Sequence, residues 1–120
     1  MEFYNSRAIY LQIADHVIRR VLSKDLTVGD RISSVRELAA EIEVNPNTVA
    51  KSYGWLADIG VILMRRGKGY YITDRAYDVS RHIVRNELLD IDLPKMIEKA
   101  RLLDLSLNDL LKNYTDEKEK

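Results

Sequence analysis

Apolar residues near the start of the chain recur at a helical spacing over residues 9–22. The stripe comprises Ile9, Tyr10, Ile13, Ala14, Val17, Ile18, Val21 and Leu22. A stripe of this width is typical of an amphipathic helix that packs on one side. We therefore predict a first helix over residues 8–23, followed by a turn that contains Gly29 and a very short strand at residues 31–32.

A second helix is indicated by a start signal at Ser34. Ser34 and Glu37 have the S-x-x-E spacing of a capping box, in which each side chain accepts a hydrogen bond from the other residue's backbone N–H. The apolar residues Leu38, Ala39 and Ile42 follow at helical spacing. We expect this helix to end near residue 43.

A third helix is indicated by Asn45 and Pro46. An amide side chain caps a helix well, and proline fits the first helical position because the N–H it lacks has no partner there. The helix should run over residues 46–59 and end before Gly60, which suits a left-handed position after a helix. Its buried stripe should contain Val49, Tyr53 and Leu56.

A β-hairpin follows the third helix. Residues 61–66 and 70–73 are rich in β-branched and aromatic residues, and Gly67-Lys68-Gly69 lies between them. Helix, helix, turn, helix and hairpin is the element order of a winged helix-turn-helix. The predicted fold is mainly α with a small β-hairpin wing, and this domain should occupy residues 1–74.

The remaining residues, 75–120, show three more helical stripes. We expect helix starts at Asp74, at Asp92 and at Ser106, the last with Asp109 as its capping partner. Forty-six residues can hardly bury three apolar stripes without a partner, so we predict a helical tail that joins two copies into a homodimer. The expected contact residues are Ile83, Leu88, Ile97, Leu103, Leu107, Leu110 and Leu111.

Charge adds a local signal to an otherwise neutral chain. The 120 residues carry 19 basic and 19 acidic side chains, yet residues 45–73 contain Lys51, Arg65, Arg66 and Lys68 against Asp58 alone. A basic patch on a neutral protein can still steer DNA. Cysteine is absent and no apolar run approaches the ~18 residues of a membrane span, so we expect a cytoplasmic protein without membrane contact.

The start of the third helix has the residues that base recognition needs. Asn47, Thr48 and Lys51 lie outside its buried stripe, and helix-turn-helix proteins place this end in the major groove. There asparagine can pair with adenine, and the threonine methyl can contact thymine. The alternative is that Asn45, Asn47 and Thr48 only cap a solvated helix, and for Asn45 capping is a full explanation.

The hairpin tip and the second helix supply further candidates. Arg65, Arg66, Gly67 and Lys68 would place cations at a tip where glycine permits close approach to phosphates or to a narrow minor groove. Otherwise they form a solvated tip that discourages strand pairing. Arg36 lies in the first turn of the second helix, where a cation opposes the helix dipole, so we assign it to DNA rather than to an ion pair with Glu37 or Asp30.

Several of these motifs, in this order, resemble the GntR family of bacterial transcription regulators. They are Ile9-Tyr10-Leu11-Gln12-Ile13, Ser34-Val35-Arg36-Glu37-Leu38-Ala39, Val44-Asn45-Pro46-Asn47-Thr48-Val49, Tyr53-Gly54-Trp55-Leu56 and Arg65-Arg66-Gly67-Lys68-Gly69. The short tail is similar to that of the YtrA-type subfamily, whose tail helices form homodimers. The resemblance implies a repressor that binds a double-stranded, pseudo-palindromic operator.

The resemblance implies DNA contacts at Arg36, Asn47, Thr48, Lys51, Arg66, Gly67 and Lys68, and Ser34, Asn45 and Arg65 are added from the residues themselves. The predicted set is Ser34, Arg36, Asn45, Asn47, Thr48, Lys51, Arg65, Arg66, Gly67 and Lys68.

Other functions fit the sequence less well. His16 and His82 have no plausible catalytic partners, no metal-ligand cluster is visible, and no cofactor or catalytic residue is expected. A winged helix used only for protein contact would need an apolar or acidic recognition helix, which Asn47, Thr48 and Lys51 oppose. The identity of any small-molecule effector is left open, and a pocket of the usual ~300 Å³ or more should need the dimer interface.

Overall fold

A computed structural model describes residues 1, 3 and 7–118 of the chain. Its helices and strands follow one another as α1 (Ile9–Leu22), β1 (Arg31–Ile32), α2 (Val35–Ile42), α3 (Pro46–Asp58), β2 (Ile62–Arg65), β3 (Gly69–Ile72), α4 (Ala76–Glu87), α5 (Leu93–Leu102) and α6 (Leu107–Lys118). A π-helical turn, Leu88–Asp92, joins α4 to α5. The mainly α fold class with a small β-hairpin is confirmed.

The chain divides into two compact units, residues 1–82 and 83–120. Helix α4 contributes to both, since it begins in the first unit and ends in the second. The predicted functional boundary after residue 74 lies eight residues earlier, at the end of the winged helix elements. That functional division stays a prediction.

The core of the first unit is formed by α1, α3 and the sheet. The stripe predicted for α3 is confirmed, because Val49, Tyr53 and Leu56 are at most 1% exposed. The stripe predicted for α1 is buried from Ile13 to Val21, but Leu22 is half-buried and Ile9 is 45% exposed. Ile9 lies in the first turn of the helix, beyond the reach of this core.

The hairpin strands β2 and β3 are antiparallel, and β1 pairs with the other side of β3. Arg31 and Ile32 therefore add a third strand to the wing, opposite Tyr71 and Tyr70. The other side of β3 pairs with β2, where Leu63 lies opposite Tyr71. Since β3 is the central strand, β2 is an edge strand of the sheet. Gly60, with a φ of 88°, ends α3 in the left-handed conformation that the sequence predicted.

The predicted helix start at Asp92 is confirmed in position, because α5 begins at Leu93 with Asp92 as the preceding cap residue. The chain stays helical from α4 to α5, and Asp92 makes no capping hydrogen bond with its side chain. Within the π turn the Leu93 N–H donates to the Leu88 carbonyl, five residues back. This wider turn accommodates Pro94, which lacks an N–H and whose ring would crowd a regular helix.

Of the other two starts in the tail region, that of α4 differs by one residue and that of α6 is as predicted. At the start of α4, the Thr73 hydroxyl accepts a hydrogen bond from the Arg75 N–H at 3.3 Å, one residue before the predicted Asp74. The capping pair of α6 is confirmed, because Ser106 and Asp109 exchange two hydrogen bonds of 3.1 Å. The reciprocal bonds hold the pKa of the Asp109 carboxyl below its usual value.

Candidate nucleic-acid interface

The first turn of α3 combines a cap with exposed polar side chains. The Asn45 side-chain oxygen accepts a hydrogen bond from the Asn47 N–H at 2.8 Å, which confirms the predicted cap. Asn45 and Asn47 are exposed, and Thr48 is half-buried. Capping occupies the Asn45 oxygen, whereas the Asn47 amide is available to a partner in solution. The helix thus holds the Asn47 amide in its first turn, at the positive end of the helix dipole, which favours an anionic partner such as DNA.

Lys51 lies one turn further along α3 and against α1. Its ammonium nitrogen is 4.2 Å from the centre of the Tyr10 ring, within cation–π range. Lys51 is exposed, and no ion pair among the described residues involves it. Tyr10 therefore positions this cation beside the start of α3. Sequence reasoning assigned Tyr10 to packing alone, because its place in the apolar stripe explained it fully.

The first turn of α2 holds Arg36 beside a complete capping box. The Ser34 hydroxyl accepts from the Glu37 N–H at 3.1 Å, and the Ser34 N–H donates to the Glu37 carboxylate at 3.2 Å. These bonds to Ser34, with a smaller contribution from Arg31, lower the pKa of Glu37. The Ser34 oxygen thereby accepts one hydrogen bond, and its hydroxyl hydrogen is left to donate.

Arg36 is not the ion-pair partner of either carboxylate considered for it. Glu37 pairs with Arg31 at 3.8 Å, and Asp30 accepts from the Thr27 N–H at 2.8 Å. Arg36 is exposed, and it joins no ion pair within the described part of the chain. An exposed cation at a helix N-terminus opposes the dipole, so contact with an external anion would stabilise it.

The wing tip is a tight turn with three exposed cations. The Lys68 N–H donates to the Arg65 carbonyl at 2.9 Å, and Gly67 has a φ of 75°. The Arg65 guanidinium lies 5.0 Å from the Tyr71 ring, which holds it along the strand. Arg66 and Lys68 are exposed at the turn itself. Because Gly67 has open space where a Cβ would stand, the backbone there can approach a phosphate closely.

Arg31 is a cation that the sequence analysis left out. Its Nε lies 3.0 Å from the position that a Cβ of Gly69 would occupy, so the missing side chain of Gly69 makes room for it. The Nη2 atom of the same guanidinium lies 3.8 Å from a carboxylate oxygen of Glu37 in the first turn of α2. Arg31 thus connects the wing to α2. Gly69 beside a strand was the one sequence signal for this contact, but Arg31 lies outside the basic segment 45–73.

The second unit leaves much of its apolar surface uncovered. Among the predicted dimer contacts, Leu88, Leu103 and Leu111 are 51%, 63% and 57% exposed. The other four are partly covered. They are Ile83, Ile97, Leu107 and Leu110. In this unit the one buried apolar side chain within the described residues is Ala100, too little to form an independent core.

No described helix is long and apolar enough to cross a membrane. Among the same residues, no group of three or more potential ligand side chains could hold a metal ion.

Residues 9–72 match the family described as bacterial regulatory proteins of the gntR family. Two curated relatives come from Bacillus subtilis (strain 168). The uncharacterized HTH-type transcriptional regulator YhcF is 34% identical over 118 residues, which cover 96% of each chain. The HTH-type transcriptional repressor YtrA is 43% identical over 72 residues, which cover 60% of this chain and 55% of that one.

Solved structures extend the similarity to the whole chain. A GntR family transcriptional regulator from Listeria monocytogenes has a TM-score of 0.77 at 27% identity, covering 95% of this chain and 98% of that one. YtrA from Sulfolobus acidocaldarius, a GntR-family transcription factor, has a TM-score of 0.59 at 30% identity, covering 74% and 94%.

The chain belongs to the GntR family of bacterial transcriptional regulators, and within it to the YtrA-type subfamily. Residues 9–72 are its DNA-binding domain, a winged helix-turn-helix. Its relatives are regulators and not enzymes, which agrees with the absence of a catalytic set in the sequence.

Proposed function

We propose that the protein is a homodimeric repressor that binds a pseudo-palindromic operator in the cytoplasm. Helix α3 enters the major groove, and the wing lies along phosphates or the adjacent minor groove. The observation that carries this proposal is the division of α3 into two unlike sides. Val49, Tyr53 and Leu56 are buried, while Asn47 and Lys51 are exposed.

The groups around α3 support this arrangement through their charge. Arg36 at the start of α2 and the cations Arg66 and Lys68 of the wing are exposed, and no ion pair among the described residues involves them. Helix-turn-helix proteins place the start of the second helix of the motif, here α3, in the major groove. The first helix, here α2, crosses the DNA backbone. Unpaired cations around a polar helix start suit phosphates on either side of a groove.

The homodimer is supported by the exposed leucines of the second unit. Leu102, Leu103 and Leu111 are 79%, 63% and 57% exposed, and Tyr114 beside them in sequence is 63% exposed. Burial of such side chains contributes about 25 cal/mol per Å² of apolar surface removed from water. A two-fold dimer would bury the same side chains from both copies.

Repression is supported by the repressor YtrA of Bacillus subtilis, which matches the DNA-binding domain. A bound dimer covers its operator on both half-sites and thereby excludes other proteins from the same DNA.

The dimer is tested with Leu103→Asp and Leu111→Asp. Both side chains are exposed in the single chain, so an aspartate there should leave each copy folded. We expect light scattering to give a dimer for the unmodified protein and a monomer for either variant at micromolar concentration. Lys112→Asp, an exposed change in the same helix, is the control and should stay dimeric. A monomeric unmodified protein that still binds its operator would overturn the dimer.

DNA binding itself is tested by its response to salt. Phosphate contacts release counterions, so affinity for duplex DNA should fall steeply as salt rises. A winged helix that contacts only proteins would show no affinity for duplex DNA at low salt. That result would overturn the proposed function.

A further inference from the structure

A cavity of about 310 Å³ lies within the first unit, away from the candidate DNA contacts. It is bounded by the end of α1, the loop that follows, the end of β3 and the first turn of α4. Its floor is apolar and consists of Val21, Leu26, Ile72 and Ala76, all at most 7% exposed. The volume reaches the lower end of the range for small-molecule sites. The sequence placed any such pocket at the dimer interface, and this expectation is wrong.

The rim of the cavity is open and carries one charge. Tyr77 and Val28 are 42% and 63% exposed, so a ligand could enter between them. Lys24 is the charged residue among the lining side chains, and its ammonium nitrogen lies 5.8 Å from the centre of the Tyr77 ring. No carboxylate of the described residues pairs with Lys24. The neighbouring Asp25 is bound by Arg20 at 2.7 Å.

The two threonine hydroxyls of the wall already have partners. The Thr73 hydroxyl donates to the Gly60 carbonyl at 2.5 Å, and the Thr27 hydroxyl donates to the Asp30 carboxylate at 3.2 Å. Lys24 therefore supplies the strongest available polar contact for an occupant. An apolar floor with one cation at its mouth fits a molecule that has an apolar body and one anionic group.

The backbone of Lys24 ends α1 in the same left-handed conformation that Glu43 and Asp104 adopt after α2 and α5. Its φ of 65° is left-handed, and its N–H donates to the Val21 carbonyl at 3.1 Å as the chain leaves α1. Glycine is favoured at this position after a helix, since other residues are strained there.

We propose that this cavity binds a small amphipathic monoanion, namely a carboxylate with a short aliphatic or aromatic body. The body lies on the apolar floor, and the carboxylate accepts hydrogen bonds from the Lys24 ammonium. Ala76 and Tyr77 belong to the first turn of α4, so the occupant contacts the helix that continues into the second unit. We expect an occupant in contact with this first turn to change operator affinity; this last step rests on the proposed function.

Binding is tested by NMR on ¹⁵N-labelled full-length protein without DNA. The probes are phenylacetate, 4-methylpentanoate and hexanoate, and the uncharged control is phenylacetamide. We expect at least one carboxylate to shift the amide signals of Lys24, Thr27 and Tyr77 in a saturable way. Phenylacetamide should bind about tenfold more weakly than phenylacetate, the effect of losing one charge-assisted contact. No shifts with any of the three carboxylates would overturn the proposal.

The variant Lys24→Gly separates ligand binding from the helix-capping role of Lys24. Glycine suits the left-handed backbone, so this variant should unfold at a higher temperature than the unmodified protein. We expect its affinity for the carboxylate to fall about tenfold despite that gain. Unchanged affinity would mean that Lys24 only ends α1, and the proposal would be overturned. Lys24→Arg keeps the charge and should retain binding.

The link to DNA is measured separately, with the operator sequence obtained by selection from random duplex DNA. Saturating carboxylate should change operator affinity of the unmodified protein in one direction and leave Lys24→Gly unaffected. Carboxylate binding without any change in operator affinity would overturn the proposed effect on DNA binding, while the proposed ligand site would stand. Failure of DNA binding in the ligand-free protein would instead count against the proposed function.

Discussion

The phenolic hydroxyl of Tyr53 donates a hydrogen bond of 2.6 Å to the backbone carbonyl of Ser33. Tyr53 is 1% exposed in the middle of α3, and Ser33 immediately precedes the cap of α2. The Tyr53 ring also meets the Tyr70 ring of β3 edge to face, with centroids 5.0 Å apart. Tyr53 thus fixes the positions of α2 and the wing relative to the helix that carries Asn47.

Tyr53→Phe tests this connection through stability. The change leaves the Ser33 carbonyl without its partner, so the free energy of unfolding should fall by about 1–3 kcal/mol. Urea denaturation measures the difference. Tyr71→Phe is the matched control, because it removes a 3.3 Å bond between exposed groups, and its effect should stay within about 0.5 kcal/mol. Equal losses in both variants would contradict the role assigned to Tyr53.

The elements of the winged helix could be predicted because their signals are local. Ser34 and Glu37 cap α2, Asn45 caps α3, and Gly60 ends it, each within a few residues of the bond it makes. Periodic burial then identified the α3 stripe. The contacts that sequence reasoning missed are formed between residues far apart in the chain. Arg31 meets Gly69 in this way.

The tail region shows a different limit of sequence reasoning. Asp92 and Pro94 have the residue types of a helix start, yet the chain remains helical there. A π turn can accommodate proline, and no local residue pattern separates that outcome from a break. The cavity beside Lys24 was missed for a related reason. Its walls come from α1, β3 and α4, and its volume depends on how they pack.

Glu37→Gln tests the capping box of α2 by its pH dependence. The pKa of Glu37 is below its ordinary value of 4.5, so ionised Glu37 stabilises the folded state above that pH. This stabilisation is lost as the pH falls through the lowered folded-state pKa. Glutamine keeps an oxygen that can accept from the Ser34 N–H, but its side chain does not ionise in this pH range. The stability difference between the two proteins should therefore shrink on acidification. A constant difference would show that the charge of Glu37 contributes nothing.

Asn47→Ala and Lys68→Ala separate base recognition from phosphate binding. Loss of the Asn47 amide should cost about 1–3 kcal/mol on the selected operator and little on random duplex DNA. Loss of the Lys68 ammonium should weaken both complexes alike. It should also reduce the slope of log affinity against log salt concentration by about one unit. Fluorescence anisotropy across a salt series measures both effects. If Asn47→Ala weakens both DNAs equally, asparagine at this position does not specify sequence.

Arg36→Lys tests whether Arg36 recognises guanine. The guanidinium can donate two parallel hydrogen bonds to guanine O6 and N7, whereas lysine keeps the charge but loses that geometry. We expect the variant to discriminate less between the operator and versions with each guanine replaced in turn. Unchanged affinity ratios would assign Arg36 to phosphate binding alone.

Selection of bound sequences from random duplex DNA is the most direct measurement of the central claim. The unmodified full-length protein is incubated with the random pool at near-physiological salt, and the enriched DNA is sequenced after several rounds. A homodimer with α3 in the major groove predicts two inverted half-sites with a fixed spacing, about one helical turn between centres or another symmetric arrangement. Enrichment of a single asymmetric site, or of no sequence at all, would contradict the account.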